Sequence, residues 1–268
     1  MQRVDSINDP RVAPYRNLRD RTLRGESIFV TEGRILTRLL LESPFEAESV
    51  LAAEGFAAEF SPLVGDRTAL YVAAESLLLE IVGFPFHRGV LGCGRRPPVR
   101  TLAELMPGVD RSGPLCLVIC PEVTKPENLG LVFRTAAGFG VDGVLLGQRC
   151  CDPLSRRALR VSMGGVLGVP FARSQNVLDD LQTLKIRYGL ELLATVLDDR
   201  AERIEQLRWP PRAGLLLGNE ADGLRGDYLS VCEHRVTIPM RPGTDSLNLG
   251  VAAGIFVYEM TRRRGRPE

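Results

Sequence analysis

Three separated stretches set polar residues against apolar surroundings in a way that could do chemistry. The first is "PENLGLVFRTAAGFG", residues 126–140. Helical spacing places Gly130, Arg134 and Gly138 on one side, at i, i+4 and i+8. Each glycine costs a helix about 1 kcal/mol against alanine, so close approach to that side is expected. Arg134 lies between them and suits an anion; the same placement suits a solvated arginine on an amphipathic helix. Leu131, Val132, Thr135, Ala136 and Phe139 form a stripe expected to face a sheet. Asn128 reads as an N-cap.

The second stretch is "LLLGNEADG", residues 215–223. An apolar strand there runs into Gly218-Asn219-Glu220. A strand ending in a glycine turn exposes main-chain groups at the end of a sheet, and Glu220 could pair with a cation or accept hydrogen bonds. An ordinary strand-to-helix turn reads equally well. The third is "IPMRPGTDSLNLGVAAGIFVYEM", residues 238–260. Asp245 or Ser246 is expected to cap a helix whose apolar residues surround its axis, so the helix is expected to be buried on most sides. Gly250 and Gly254 share a face and permit close packing.

The elements that must position these residues follow from pattern. The chain has 268 residues, enough for one large or two ordinary domains. Segments 27–33, 48–54 and 69–75 read as strands, with helices at 34–43 and 76–84. This small α/β unit is expected to end in a linker at "GCGRRPPVR", residues 92–100. Further strands are expected at 115–120, 143–147, 169–173, 191–197, 214–218 and 234–240, and helices at 128–140, 153–163 and 177–189. Continuous apolar strands alternating with helices imply a parallel sheet covered on both faces, with ligands beyond the strands' carboxyl ends.

Composition narrows the classes. Net charge is +1, so bulk charge does not argue for or against a nucleic-acid partner. Six cysteines show no C-x-x-C pair, and His87 and His234 are the only histidines, so no metal site is expected. The opening "MQRVDSINDPRVAPYR" does not read as a signal peptide, and no apolar run approaches the roughly 20 residues of a membrane span. A reducing cytoplasm is expected. No strand-linked G-x-G-x-x-G opens a helix and no P-loop is present, which disfavours a nucleotide-dependent oxidoreductase or an NTPase.

Taken in order, N-L-G-x-x-x-R-T-A, L-G-N-E-x-x-G-L and I-P-M-x-x-x-x-x-S-L-N-x-x-V-A-A-G-I closely resemble the three motifs of the SpoU/TrmH class of SPOUT RNA methyltransferases. The resemblance spans roughly residues 115–264. The amino-terminal part is more loosely similar to the small RNA-binding domain fused to many members. The resemblance implies an α/β fold in which a parallel sheet ends in a deep carboxyl-terminal trefoil knot. It implies an RNA-binding α/β domain at 1–98 and a catalytic domain at 99–268. It further implies bound S-adenosylmethionine, a homodimer, and methylation of a ribose 2′-hydroxyl in rRNA or tRNA. By motif, Gly218, Ile238 and Leu247 are expected to hold the cofactor, with Thr195, Leu217, Asn219 and Met240 as neighbours. Arg134 matches the catalytic arginine, beside Asn128; Glu220, Ser246 and Asn248 complete the polar site. The remaining alternative is a non-catalytic RNA-binding relative. Candidate RNA contacts are Arg11, Arg16, Arg19, Arg21, Arg24, Arg95, Arg96, Arg100, Arg156, Arg157 and Arg160, clusters that without the resemblance read as solvated faces; Lys125 either adds a phosphate contact or alters substrate preference.

Overall fold

The computed structural model describes residues 1–18, 23, 25–106, 108, 112–241, 243 and 246–262. Arg19, Arg21, Arg24 and Asp245 lie outside them. The chain divides into two units, Met1–Pro98 with Leu154–Gly168, and Val99–Pro153 with Val169–Glu268.

The first unit contains β1 (Gln2–Arg3), β2 (Ile28–Glu32), α1 (Arg34–Glu42), β3 (Ala47–Ala53), α2 (Ala57–Phe60), β4 (Ala69–Ala73), α3 (Glu75–Val82) and β5 (Val90–Arg95). Its sheet runs β1-β4-β3-β5-β2, with β5 antiparallel to both neighbours. The expected linker at 92–100 is therefore corrected in its first part, because Gly92–Arg95 belong to an inner strand. Glycine there answers crowding: a Cβ on Gly94 would lie 2.4 Å from the Phe29 ring. Tyr15, Leu51, Ile81 and Leu91 build the core, and the Tyr15 hydroxyl meets that of Ser49 at 2.8 Å.

The second unit begins with α4 (Leu102–Leu105), β6 (Leu115–Cys120), α5 (Pro126–Phe139) and β7 (Gly143–Leu146). Next in the chain come α6 (Arg156–Val161) and α7 (Gly165–Gly168), which belong to the first unit. Arg156 pairs there with Glu32, itself only 5% exposed, and donates to the Leu18 carbonyl. The second unit resumes with β8 (Phe171–Arg173), α8 (Val177–Ile186), β9 (Glu191–Thr195), β10 (Glu202–Arg203), β11 (Arg212–Leu216), α9 (Gly226–Val231), β12 (His234–Thr237) and α10 (Leu249–Thr261). Seven strands form one sheet, β10-β12-β9-β11-β6-β7-β8, and every pairing in it is parallel. Leu117, Ile119, Leu145, Leu181, Leu192 and Leu216 form its core.

Three details of the second unit differ from the pattern reading. Asn128 lies inside α5 rather than at its cap, which is Lys125. The buried side of α5 carries Leu129, Val132, Phe133 and Ala136, whereas Phe139 is 42% exposed and rests against Tyr258 with ring centres 5.6 Å apart. Helix α10 is capped by Asn248, whose side chain accepts from the Gly250 and Val251 N–H groups at 2.9 and 3.4 Å. The helix is buried or half-buried on its other sides, as expected, and exposes one stripe: Val251, Ile255 and Tyr258 are 50%, 37% and 44% exposed. Its closest packing is at Gly250, where a Cβ would lie 2.4 Å from Leu131 Cδ1 of α5; Gly254 has no such neighbour.

Candidate functional site

Beyond the carboxyl ends of β9, β11 and β12 the chain encloses a cavity of about 600 Å³. Thr195 ends β9 there and Val196–Asp198 follow it, Gly218–Leu224 follow β11, Ile238, Met240 and Ser246–Asn248 lie between β12 and α10, and Leu249 opens α10. Lys125 and Asn128 enter from the start of α5. This is the end of a parallel sheet where ligands bind.

The Gly218–Leu224 loop is tight. The Asn219 N–H meets the Gly223 carbonyl at 2.8 Å, and the return bond is 3.1 Å. A Cβ on Gly218 would stand 2.5 Å from the Gly223 carbonyl carbon, so only glycine fits. The Asn219 amide donates to the Glu122 carbonyl at 2.8 Å, and its own oxygen accepts from Ala221 at 2.9 Å.

Glu220 is the anchor between the loops. One carboxylate oxygen accepts from the Thr124 N–H at 3.1 Å and the Thr124 hydroxyl at 3.0 Å. The other accepts from the Lys125 N–H at 2.9 Å and the Asn128 amide at 3.1 Å. The carboxylate also sits at the positive end of α5. Burial pushes this carboxyl up, but the bonds from Lys125, Thr124 and Asn128 outweigh it and hold the pKa below its ordinary value. Asn128 then accepts from the Asn248 amide at 2.9 Å. Thr195 is steadied in turn, its hydroxyl donating to the Leu216 carbonyl at 2.9 Å.

Of the residues expected at the site, Asn128, Glu220, Ser246, Asn248, Thr195, Gly218, Asn219, Ile238, Leu247 and Met240 all line this cavity. Leu217 does not; it is fully buried behind the loop. Arg134 does not either. It sits six residues along α5 from Asn128, exposed, and its side chain makes no ion pair or hydrogen bond among the described residues. Val196, Leu197, Asp198, Arg235 and Phe256 line the cavity without having been expected. Of these, Asp198 could have been sought, because "TVLDD" continues past the strand that carries Thr195.

Several candidate RNA-contacting arginines have internal duties. Arg11 binds Asp9, and Arg16 donates to the Asp9 carbonyl. Arg96 donates to the Ile28 and Leu23 carbonyls, Arg95 pairs with Glu48, and Arg156 with Glu32. Among the described residues, no group of three or more His, Cys, Asp or Glu is placed to hold a metal ion, and no helix is long and apolar enough to cross a membrane.

Comparison with known proteins follows the same residues. The family model described as SpoU rRNA Methylase matches residues 115–258. An uncharacterized tRNA/rRNA methyltransferase of Mycobacterium bovis is 35% identical over 271 residues, covering 98% of this chain and 92% of that protein. A 23S rRNA (guanosine-2′-O-)-methyltransferase of Acinetobacter baylyi is 32% identical over 192 residues, 72% and 77% of the two chains. Among solved structures, an AdoMet-bound rRNA methyltransferase from Sinorhizobium meliloti superposes with a TM-score of 0.84 at 25% identity, covering 97% of each chain. An RNA 2′-O ribose methyltransferase superposes with a TM-score of 0.77 at 27% identity, covering 98% of this chain and 99% of that one. The family match covers more than half of this chain and falls on the strands and loops that build the cavity, so the chain belongs to the SpoU rRNA methylase family of methyltransferases.

Proposed function

We propose that this chain transfers a methyl group from S-adenosylmethionine to a ribose 2′-hydroxyl of rRNA or tRNA. The observation that carries the reading is the convergence of three loops on one cavity, tied by the Glu220–Asn128–Asn248 chain of hydrogen bonds. The residues present fit the cofactor. The cavity volume is within the roughly 300–1,000 Å³ of small-molecule sites. Ile238, Met240, Leu247 and Phe256 give it apolar walls, and Asp198 and Asp222 lie among them as acceptors for a cationic, hydroxyl-bearing ligand. The cofactor, when bound, supplies a methyl group on a positively charged sulfur.

The chain's own residues orient the reaction. Glu220 is a poor general base, because four donors already bind its depressed carboxylate. Its part is to fix the cofactor loop to α5. Ser246, in the loop before α10, and Asn248, its cap, present polar groups to the cavity. Arginine is fully protonated at neutral pH, so Arg134 serves as a donor that orients the target phosphate and the 2′-oxygen. It lies outside the cavity of its own chain, which supports a second copy bringing it to the site. Phe139, Val251, Ile255 and Tyr258, all well exposed, give α5 and α10 an apolar face suited to such a dimer. A threaded carboxyl-terminal knot belongs to the same reading, as does a cytoplasmic setting, which six free thiols suit.

Isothermal titration with S-adenosylmethionine, paired with a transfer assay on Arg134→Ala, tests the assignment. The variant is expected to bind cofactor as the wild type does and to lose transfer. Transfer at the wild-type rate would remove Arg134 from the mechanism, and a wild type that binds no cofactor would remove the function.

A further inference from the structure

Outside the cavity, one half-buried arginine gathers the carbonyls of a single turn. Arg173 ends β8, one of the two edge strands of the seven-stranded sheet. Its Nη1 donates to the carbonyls of Gly147 at 2.8 Å, Cys150 at 3.2 Å and Gln148 at 3.4 Å. Its Nη2 donates to that of Cys151 at 3.1 Å. No carboxylate pairs with it among the described residues. Carbonyl oxygens brought to one point repel one another, and away from water they need donors. The planar five-donor fork of arginine serves several at once, whereas lysine offers a point charge.

That turn is stitched to the exit of β6. The Gly147 N–H donates to the Cys120 carbonyl at 2.8 Å, and the Cys151 N–H to the Val123 carbonyl at 2.9 Å. The Cys150 thiol, pushed up to about 11 by burial, keeps its proton and donates to the Cys120 carbonyl at 2.8 Å. Its sulfur accepts from the Val123 N–H at 3.3 Å. The fit leaves no slack: a Cβ on Gly147 would lie 2.0 Å from the Pro121 oxygen. Immediately after Val123 come the Thr124 and Lys125 N–H groups that hold Glu220.

We propose that Arg173 is a positioning residue for the methyl-transfer site: by fixing the 147–151 turn it fixes the Val123–Lys125 segment, and so the carboxylate that clamps the cavity loop. It lines no part of the cavity itself. Its importance for transfer rests on the function proposed above; its hold on Glu220 does not.

Arg173→Ala and Arg173→Lys, made in the full chain, test this with two measurements. The first is titration of the Glu220 side-chain carboxyl by 13C-detected NMR, its signal assigned with Glu220→Gln. In the wild type it is expected to titrate below the ordinary glutamate value. In Arg173→Ala it is expected to move up toward that value as its fixed donors loosen, with Arg173→Lys between the two. The second is steady-state transfer, in which Arg173→Ala is expected to lower kcat roughly ten- to a hundredfold by misplacing the site, with KM for RNA unchanged. Arg173→Lys is expected to recover part of that loss. An unmoved Glu220 titration overturns the proposal, as does a fall in kcat that matches only the loss of folded protein. Should Arg173→Ala fail to fold, Arg173→Lys decides through the same titration. A wild type without transfer activity refutes the proposed function, while the titration still decides Arg173.

Discussion

The amide of Asn248 donates to the side-chain oxygen of Asn128 at 2.9 Å, across 120 residues of sequence. Asn128 in turn donates to Glu220 at 3.1 Å, so the three motif-bearing segments are joined side chain to side chain. Removing the middle member leaves the Asn248 amide without its acceptor and Glu220 with one donor fewer. Asn128→Ala is expected to cost about 1–3 kcal/mol, read from denaturant midpoints, and to weaken cofactor binding. Asn128→Asp is expected to cost more, since it sets a second carboxylate against Glu220. A double-mutant cycle between positions 128 and 248 measures the link itself, and zero coupling would show that the contact does not hold the loops.

Glu220 gives the protein an acid-sensitive clamp. Its folded pKa is depressed below the ordinary 4.5, so its contribution to stability is complete above that value. The contribution is lost as pH falls through the depressed folded value. Glu220→Gln is expected to be less stable at neutrality and to show a shallower fall of melting temperature on acidification. Parallel melting curves for the two proteins across the acid range would contradict this.

Helices α5 and α10 meet at Gly250 without space for a methyl group. Gly250→Ala would place Cβ 2.6 Å from Leu131 Cβ, an atom that cannot swing aside. The expected cost is about 1–3 kcal/mol of overpacking strain, relieved in part by Leu131→Gly, which removes that Cβ together with the Cδ1 that would lie 2.4 Å away. Chemical denaturation of the two single variants and the double variant checks it; additive losses would rule out the steric account.

The exposed apolar face of α5 and α10 makes a prediction about assembly. Val251→Arg is expected to give monomers by analytical ultracentrifugation and to lose transfer while still binding cofactor. If Arg134 serves the partner's cavity, mixing Arg134→Ala with the cavity variant Gly218→Val restores part of the activity that each lacks alone. No recovery from a mixture shown to exchange subunits would place Arg134 with its own chain.

The parallel sheet was readable because its strands are apolar throughout and alternate with helices; β6 matches residues 115–120 as expected. The cavity loops were readable for a related reason. Glycine, asparagine and carboxylate residues that follow such strands point to a ligand-binding edge. Strand β5 was obscured because Gly92 and Gly94, needed to admit Thr31 and Phe29, look like linker residues in isolation. Phe139 reads as facing the sheet because hydrophobicity alone does not say which apolar face meets its own chain. The distance of Arg134 from its own cavity depends on how α5 is rotated against the loops, which residue spacing does not specify. Arg173 carried no local signal at all, since its role lies in four carbonyls more than twenty residues away.

The most direct test is methyl transfer from labelled S-adenosylmethionine into undermodified total RNA, followed by alkaline hydrolysis. A 2′-O-methyl group blocks alkaline cleavage at its own linkage, so the label is expected in alkali-resistant dinucleotides and to vanish with Arg134→Ala. Label released in mononucleotides, or no label in RNA at all, would contradict the assignment of this cavity to ribose methylation.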